Sequence, residues 1–288
     1  MSLAAIILLV LKVSIVLTVF GFALDATWAE ATYLFRNPGK LLRAILSMNV
    51  VMLITAVALA VLFDLHPAVK IALCALSLSP VPPFIPGKAE KFGGSLNYVV
   101  GLLTAASLLA ITLVPFTLEV LQRIFGVPLG MTPWAVVPIV FGTVLAPLGA
   151  GILVHAVART LATRIARPVR LIATILLILT ALPLLIVSLP AIWSLIGNGT
   201  AVVLLVFVLV GLVAGHLLGG PDPHERMVLA FSSASRHPGM ALAIAHANFP
   251  QQKLATAAVL LYLLISIVGS IPYQKWIQRR AQMVPSAT

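Results

Sequence analysis

Charge is what this sequence has least of. Only 9% of its 288 residues are Asp, Glu, Lys or Arg, against about 25% in soluble domains, so it has no room for a large water-exposed domain. Acidic residues are the scarcer kind, 7 against 18 Lys and Arg. The single cysteine, Cys74, excludes a disulfide framework and any cysteine-based metal spacing. His-Glu-x-x-His, Gly-x-Ser-x-Gly and an aspartate pair inside an apolar segment are absent, which removes the common signatures of intramembrane enzymes. Nor is there a repeated filter motif of the kind a passive channel would use.

What the chain has is apolar length. Hydrophobic residues make up 61% of it, and mean hydropathy is +1.15. Segments of roughly 20 apolar residues match the thickness of a bilayer. Nine are expected, at 3–23, 41–63, 68–90, 93–121, 134–156, 169–191, 200–219, 225–247 and 253–276. The first has no preceding Lys or Arg and exceeds the core of a signal peptide, so it reads as a retained span. Asn37-Pro38-Gly39, the basic stretch Leu161–Pro168 and Gly219-Gly220-Pro221-Asp222-Pro223 read as turns. The net charge of +11 sits in short loops and describes topology, with no call for nucleic acid. Thirteen Lys and Arg, from Arg36 to Arg280, follow odd-numbered segments, and only Lys70, Arg123 and Lys253 follow even ones. The chain is expected to be a multi-pass protein of a bacterial inner membrane, and this asymmetry predicts its N-terminus outside and its C-terminus cytoplasmic.

Two segments are too polar or too broken to be simple spans. The third contains Ser79-Pro80-Val81-Pro82-Pro83-Phe84-Ile85-Pro86-Gly87, and the eighth contains Ser232-Ser233-Ala234-Ser235-Arg236-His237-Pro238-Gly239. Proline removes a backbone donor and clashes with the preceding turn. An arginine at the centre of a span costs at least about 2.5 kcal/mol. Freed backbone groups must then meet protein or a water-filled cavity, not lipid. The breaks lie five segments apart, an odd number, so the second copy would be inverted. Residues 1–122 and 169–277 are expected to be inverted repeats within one transporter unit, joined by a connector at 134–156. Matching interrupted helices in inverted halves point to a transporter's binding site.

The runs Val13-Ser14-Ile15 through Phe20-Gly21-Phe22-Ala23-Leu24, then Leu34-Phe35-Arg36-Asn37-Pro38, Leu41-Leu42, and Leu103-Thr104-Ala105-Ala106-Ser107-Leu108-Leu109 to Val114-Pro115 resemble the bile acid:sodium symporter family. The resemblance implies an all-α fold of nine or ten spans with crossing broken helices, a panel and a core group, and secondary transport of organic anions, often with sodium. Two departures stand out. Where the family's first crossing helix supplies sodium ligands, residues 82–87 hold no Asn or Ser. Where its second has a Glu and then Gln-Asn, this chain has Ser232, Arg236 and His237. One or both sodium sites are therefore expected to be lost, leaving carriage coupled to protons or uncoupled. No cofactor is expected.

Arg236 is the leading substrate residue, since a planar fork matches a carboxylate or sulfonate. The alternatives are a tethered cation in sodium's place and a cap on half-helix carbonyls, with Glu90 and Asp64 as conceivable partners. His237 could carry a proton or only bond the broken backbone. Ser232, Ser233 and Ser235 could donate to an anion, with at least one expected to bond only to its own turn. Pro82 and Pro83 shape the same site. Asn97, Thr104 and Ser107 could line it or act as glue between helices. Lys12 faces either the cavity or the interface, His246 the outer surface. Cys74 reads as packing and Trp28, Trp134, Trp193 and Trp276 as an interfacial belt. The expected partners are an organic anion and the lipid bilayer, with no oligomer required. The rival readings are an exporter of organic acids resembling the auxin efflux carriers, whose crossing is proline-rich and sodium-independent, and a passive channel.

Overall fold

The computed structural model describes residues 3–197 and 199–283. The tail after Met283, expected in the cytoplasm, lies outside them. The described residues form α-helices joined by short turns: α1 (Leu3–Ala23), α2 (Trp28–Ala31), α3 (Pro38–Leu62), α4 (Pro67–Leu78), α5 (Ile85–Lys91), α6 (Leu96–Phe125), α7 (Pro133–Val157), α8 (Arg159–Leu195), α9 (Thr200–Leu218), α10 (Pro223–Ala234), α11 (Pro238–Asn248), α12 (Ala255–Gly269) and α13 (Ile271–Met283). Among the described residues six apolar helices are long enough to cross a membrane: α3, α6, α7, α8, α9 and the run Ala255–Arg279 that joins α12 to α13. The chain is an all-α polytopic membrane protein. The other expected spans fall on α1 and on two pairs of short helices, α4 with α5 and α10 with α11.

The helices sort into two groups. In one, α1 packs along α7 and α8. In the other, α3, α9 and α12 pack around the two broken helices, α4–α5 and α10–α11, and α6 lies between the groups. Helices α9 and α10 approach closely. Gly211, Gly215 and Gly219 repeat every four residues and so share a face of α9. A Cβ on Gly211 would lie 2.8 Å from the Ala234 Cα, and those on Gly215 and Gly219 would overlap Ala230 and Arg226. Small residues let helix backbones touch in lipid. The turn from α9 to α10 uses Gly220 at φ +85°, and the Asp222 carboxylate caps α10 by accepting from the His224 backbone N–H at 2.8 Å.

Loops gather at two ends. At the basic end, the Lys40 ammonium meets Glu225 at 2.6 Å, His224 Nδ1 meets the Gly93 carbonyl, and Arg170 meets both Asp25 and Glu90. At the other end, the Gly130 N–H donates to Asn248 Oδ1 at 2.7 Å. The expected turn at Leu161–Pro168 is corrected: α8 is a single helix of 37 residues, about 55 Å long at 1.5 Å per residue. Ala162 and Ala166 explain why. Four residues apart, they bury against Leu24 at the end of α1, and that packing together with good helix formers outweighs Pro168. Arg159, Arg164 and Arg167 are exposed on this extension. Two π-helical segments, Leu46–Val51 in α3 and Phe141–Leu145 in α7, carry no signal in the hydrophobic pattern.

Candidate functional site

The two interrupted helices meet at their breaks. Helix α4 stops at Leu78 because Pro80, Pro82 and Pro83 have no N–H to continue it. Ser79 turns back instead, its hydroxyl donating to the Leu76 carbonyl at 2.8 Å. The link through Pro82 and Pro83 is buried, and α5 restarts with Pro86 in its first turn, where the missing donor costs nothing. Helix α10 stops at Ala234. Ser235 is extended, with φ −119° and ψ 128°, and Pro238 opens α11. His237 caps α11, its Nδ1 accepting from the Met240 N–H at 3.2 Å, while its own N–H donates to the Pro80 carbonyl at 3.0 Å.

Arg236 binds one broken helix to the other. Its side chain is 0% exposed. Nε donates to the Leu76 carbonyl at 2.9 Å and Nη2 to the Ser77 carbonyl at 2.6 Å. These are carbonyls of the last turn of α4, where the helix dipole places about half a negative charge. No carboxylate pairs with Arg236 among the described residues; the acidic groups in ion pairs are Asp25, Glu90, Glu119 and Glu225. The guanidinium is thus only partly compensated. Its Nη1 is buried without a hydrogen-bond partner, as are His237 Nε2, Ser232 Oγ and Ser107 Oγ. Because His237 Nδ1 accepts, a neutral ring keeps its proton on Nε2, which is then an unused donor.

The surrounding shell is polar in detail. The Ala234 carbonyl, at the end of α10, accepts from the Tyr262 hydroxyl at 2.7 Å and the Ser266 hydroxyl at 3.0 Å, both on α12. Ser235 Oγ lies 3.4 Å from Ser266 Oγ. Ser233 Oγ lies 2.7 Å from Ser47 Oγ, which the π segment of α3 carries. None of the three serines bonds only to its own turn, contrary to expectation: two reach across to other helices, and Ser232 is unpaired. Tyr262, Ser266 and Ser47 are functional candidates the motif reading missed. Their signal was a lone polar group within an apolar helix.

A sodium ion needs several oxygen ligands, and four of the carbonyls at the crossing already have donors. Leu76 and Ser77 have Arg236, Pro80 has the His237 N–H, and Ala234 has Tyr262 and Ser266. Among the described residues no group of three His, Cys, Asp or Glu could hold a metal ion.

Other expected residues stand apart from the crossing. Asn97 is exposed in the first turn of α6. The Thr104 hydroxyl donates to the Val100 carbonyl at 2.9 Å, and the residue lines an apolar cleft with Leu108, Val137 and Phe141, between α6 and α7. Glu90 pairs with Arg170, and Asp64 lines a cavity at the far end, so neither serves Arg236. Lys12 is exposed on α1, and His246 is exposed near the end of α11, 3.4 Å from the Thr256 hydroxyl. Trp28, Trp134, Trp193 and Trp276 are all partly or largely exposed. A cavity of about 160 Å³ lies between the groups at the basic end, lined by Phe22, Asp25 and Arg170 from one, Pro86 and Glu90 from the other, and Val99 of α6.

The profile of the sodium bile acid symporter family matches residues 12–195, well over half of the chain. The match runs from α1 to the end of α8 and includes the first interrupted helix; the segment carrying Arg236 lies beyond it. No curated protein matches the chain as a whole sequence.

Proposed function

We propose a mechanism for a chain that belongs to the sodium bile acid symporter family, and is therefore a membrane transporter rather than an enzyme: it is a secondary carrier of a small or amphipathic organic anion, with Arg236 as a built-in cation where relatives use sodium. One observation carries the reading. A fully buried guanidinium occupies the last carbonyls of α4, has no carboxylate partner, and keeps Nη1 unpaired. A buried cation lacking a counter-charge favours an anion. At 4 Å, with an effective dielectric near 20, the attraction is about 4 kcal/mol. The same charge repels a sodium ion by a similar amount.

In this mechanism the α1–α7–α8 group and the group around the crossing move against each other. The inverted repeats, residues 1–122 and 169–277, supply the two faces of alternating access. Substrate enters beside the crossing and its anionic group meets Nη1, with the Ser232 hydroxyl and His237 Nε2 as further donors. No sodium travels with it; carriage is uncoupled or proton-coupled. The basic loops lie in the cytoplasm of a bacterial inner membrane, and the spans number nine.

The test is uptake of labelled taurocholate and of a set of small carboxylates into proteoliposomes, with sodium or potassium outside. The expected result is equal uptake in both salts, accumulation above the external concentration when a gradient is imposed, and at least about a tenfold loss in R236K. Sodium-dependent uptake, or an R236A variant that still carries the anion at the wild-type rate, would overturn the reading. The Pro82-Pro83 link, devoid of sodium ligands, favours a second reading as an organic-acid exporter. Transport of the small carboxylates outward but not inward would select it.

A further inference from the structure

A second cavity, of about 480 Å³, opens at the end of the molecule opposite the basic loops. It is enclosed by α3, α4, α6 and α11, with no contribution from α1, α7 or α8, so it is separate from the cleft between the groups. Its volume is within the range that small ligands occupy. Its walls are apolar, with Leu78, Leu118 and Phe249 among them, and Cys74 lies in the wall formed by α4. Two charges of opposite sign line it: Asp64, in the turn before α4, and Lys70, in the first turn of α4. Asp64 is exposed and Lys70 half-buried, and neither side chain has a hydrogen bond or ion pair among the described residues.

We propose that this cavity binds a zwitterionic amphiphile, its apolar body against the helices, its ammonium on Asp64 and its anionic oxyacid group on Lys70. A purely anionic head would be repelled by Asp64, and a purely cationic one by Lys70. An uncharged head would pair with neither, and only a head carrying both signs gives each charge a counter-charge. The turn after α3 and the start of α4 lie at a helix end, the level at which lipid headgroups of this chemistry reside. A phosphoethanolamine head fits, whether it arrives on a bilayer lipid or on a free single-chain lipid. The occupant would rest against Cys74 and Leu78, beside the carbonyls that hold Arg236, and so restrain the end of α4. The proposal stands apart from the carrier mechanism and survives its failure.

Cys74 is the only cysteine in the chain, and this supplies a readout that needs no transport. The protein is placed in phosphatidylglycerol nanodiscs, and modification of Cys74 by N-ethylmaleimide is timed while lysophosphatidylethanolamine is added. Melting is followed in parallel. The expected result is modification slowed about tenfold with a rise in melting temperature, and less than about a twofold effect from lysophosphatidylglycerol or monoacylglycerol. K70Q and D64N should each remove most of the protection while folding normally. Protection by diacyl phosphatidylethanolamine built into the disc would assign the bilayer as the source; protection by the single-chain lipid alone would assign a free amphiphile. The proposal is overturned if neither slows modification or shifts melting, if monoacylglycerol protects equally, if both variants stay protected, or if Cys74 fails to react even without the lipid.

Discussion

In the mechanism proposed above, Arg236 performs two tasks with one planar group, and lysine does not match it. A lysine ammonium keeps the charge but cannot span the Leu76 and Ser77 carbonyls with fixed geometry and still present a third donor. R236M removes two charge-assisted hydrogen bonds, at about 1.5–3 kcal/mol each, and also relieves a buried charge. The net loss should be about 2–3 kcal/mol, read as a lower melting temperature of a protein that still inserts. Ser47 and Ser233 make a cleaner test. Each single alanine leaves a buried hydroxyl unpaired and should cost about 1–2 kcal/mol, whereas S47A/S233A together should cost clearly less than the sum. Additive losses in that cycle would show that the 2.7 Å contact contributes nothing. The importance of Arg236 was legible in the sequence, because a charge beside a proline inside an apolar run has few explanations. Half-helix carbonyls were among the partners the sequence offered, and the structure bears that out, but which carbonyls they are was not legible. They are backbone carbonyls 159 and 160 residues away, and a carbonyl has no residue type to betray it.

Among the elements, the α9–α10 pair depends most on absent side chains. Gly215→Leu would drive a side chain into the backbone of Ala230. Overpacking of this kind costs about 1–3 kcal/mol where neighbours can shift, and more here because the obstacle is main chain. Poor yield and a melting temperature lowered by several degrees are expected. Gly149 of α7 is the control: a Cβ there meets nothing within 4 Å. Gly149→Ala should be neutral, or stabilise by up to about 1 kcal/mol through helix propensity. Destabilisation by both variants alike would mean that glycine matters to the fold for some other reason. Apolar length and proline placement made most of the helices and both breaks readable. The α8 extension was misread as a turn because its support, Leu24 against Ala162 and Ala166, comes from a helix more than a hundred residues earlier. The π segments were invisible because one extra residue in a turn leaves no mark on an apolar pattern.

At the scale of the molecule, Arg170 ties the two helical groups together. It meets Asp25 at 2.7 Å within its own group and Glu90, on the half-helix α5, at 3.2 Å. Glu90 is largely exposed, so the contact is a light latch and not a brace. E90Q should leave melting nearly unchanged yet widen the distance distribution between spin labels placed on α5 and α8 in a Cys74→Ser background. A distribution identical to that of the parent would exclude a gating role. The coupling ion is also a property of the whole carrier, and it bears most directly on the central claim. The decisive measurement is the melting temperature of the purified protein as sodium replaces potassium at constant ionic strength. An ion that binds only the folded state stabilises it by about 2.7 kcal/mol at one hundred times its Kd, a shift of about 5 °C or more. With Arg236 seated on the α4 carbonyls, the two salts should give the same melting curve. A sodium-specific rise would contradict the account, since it would mean that the ion still finds oxygens which the structure assigns to protein donors.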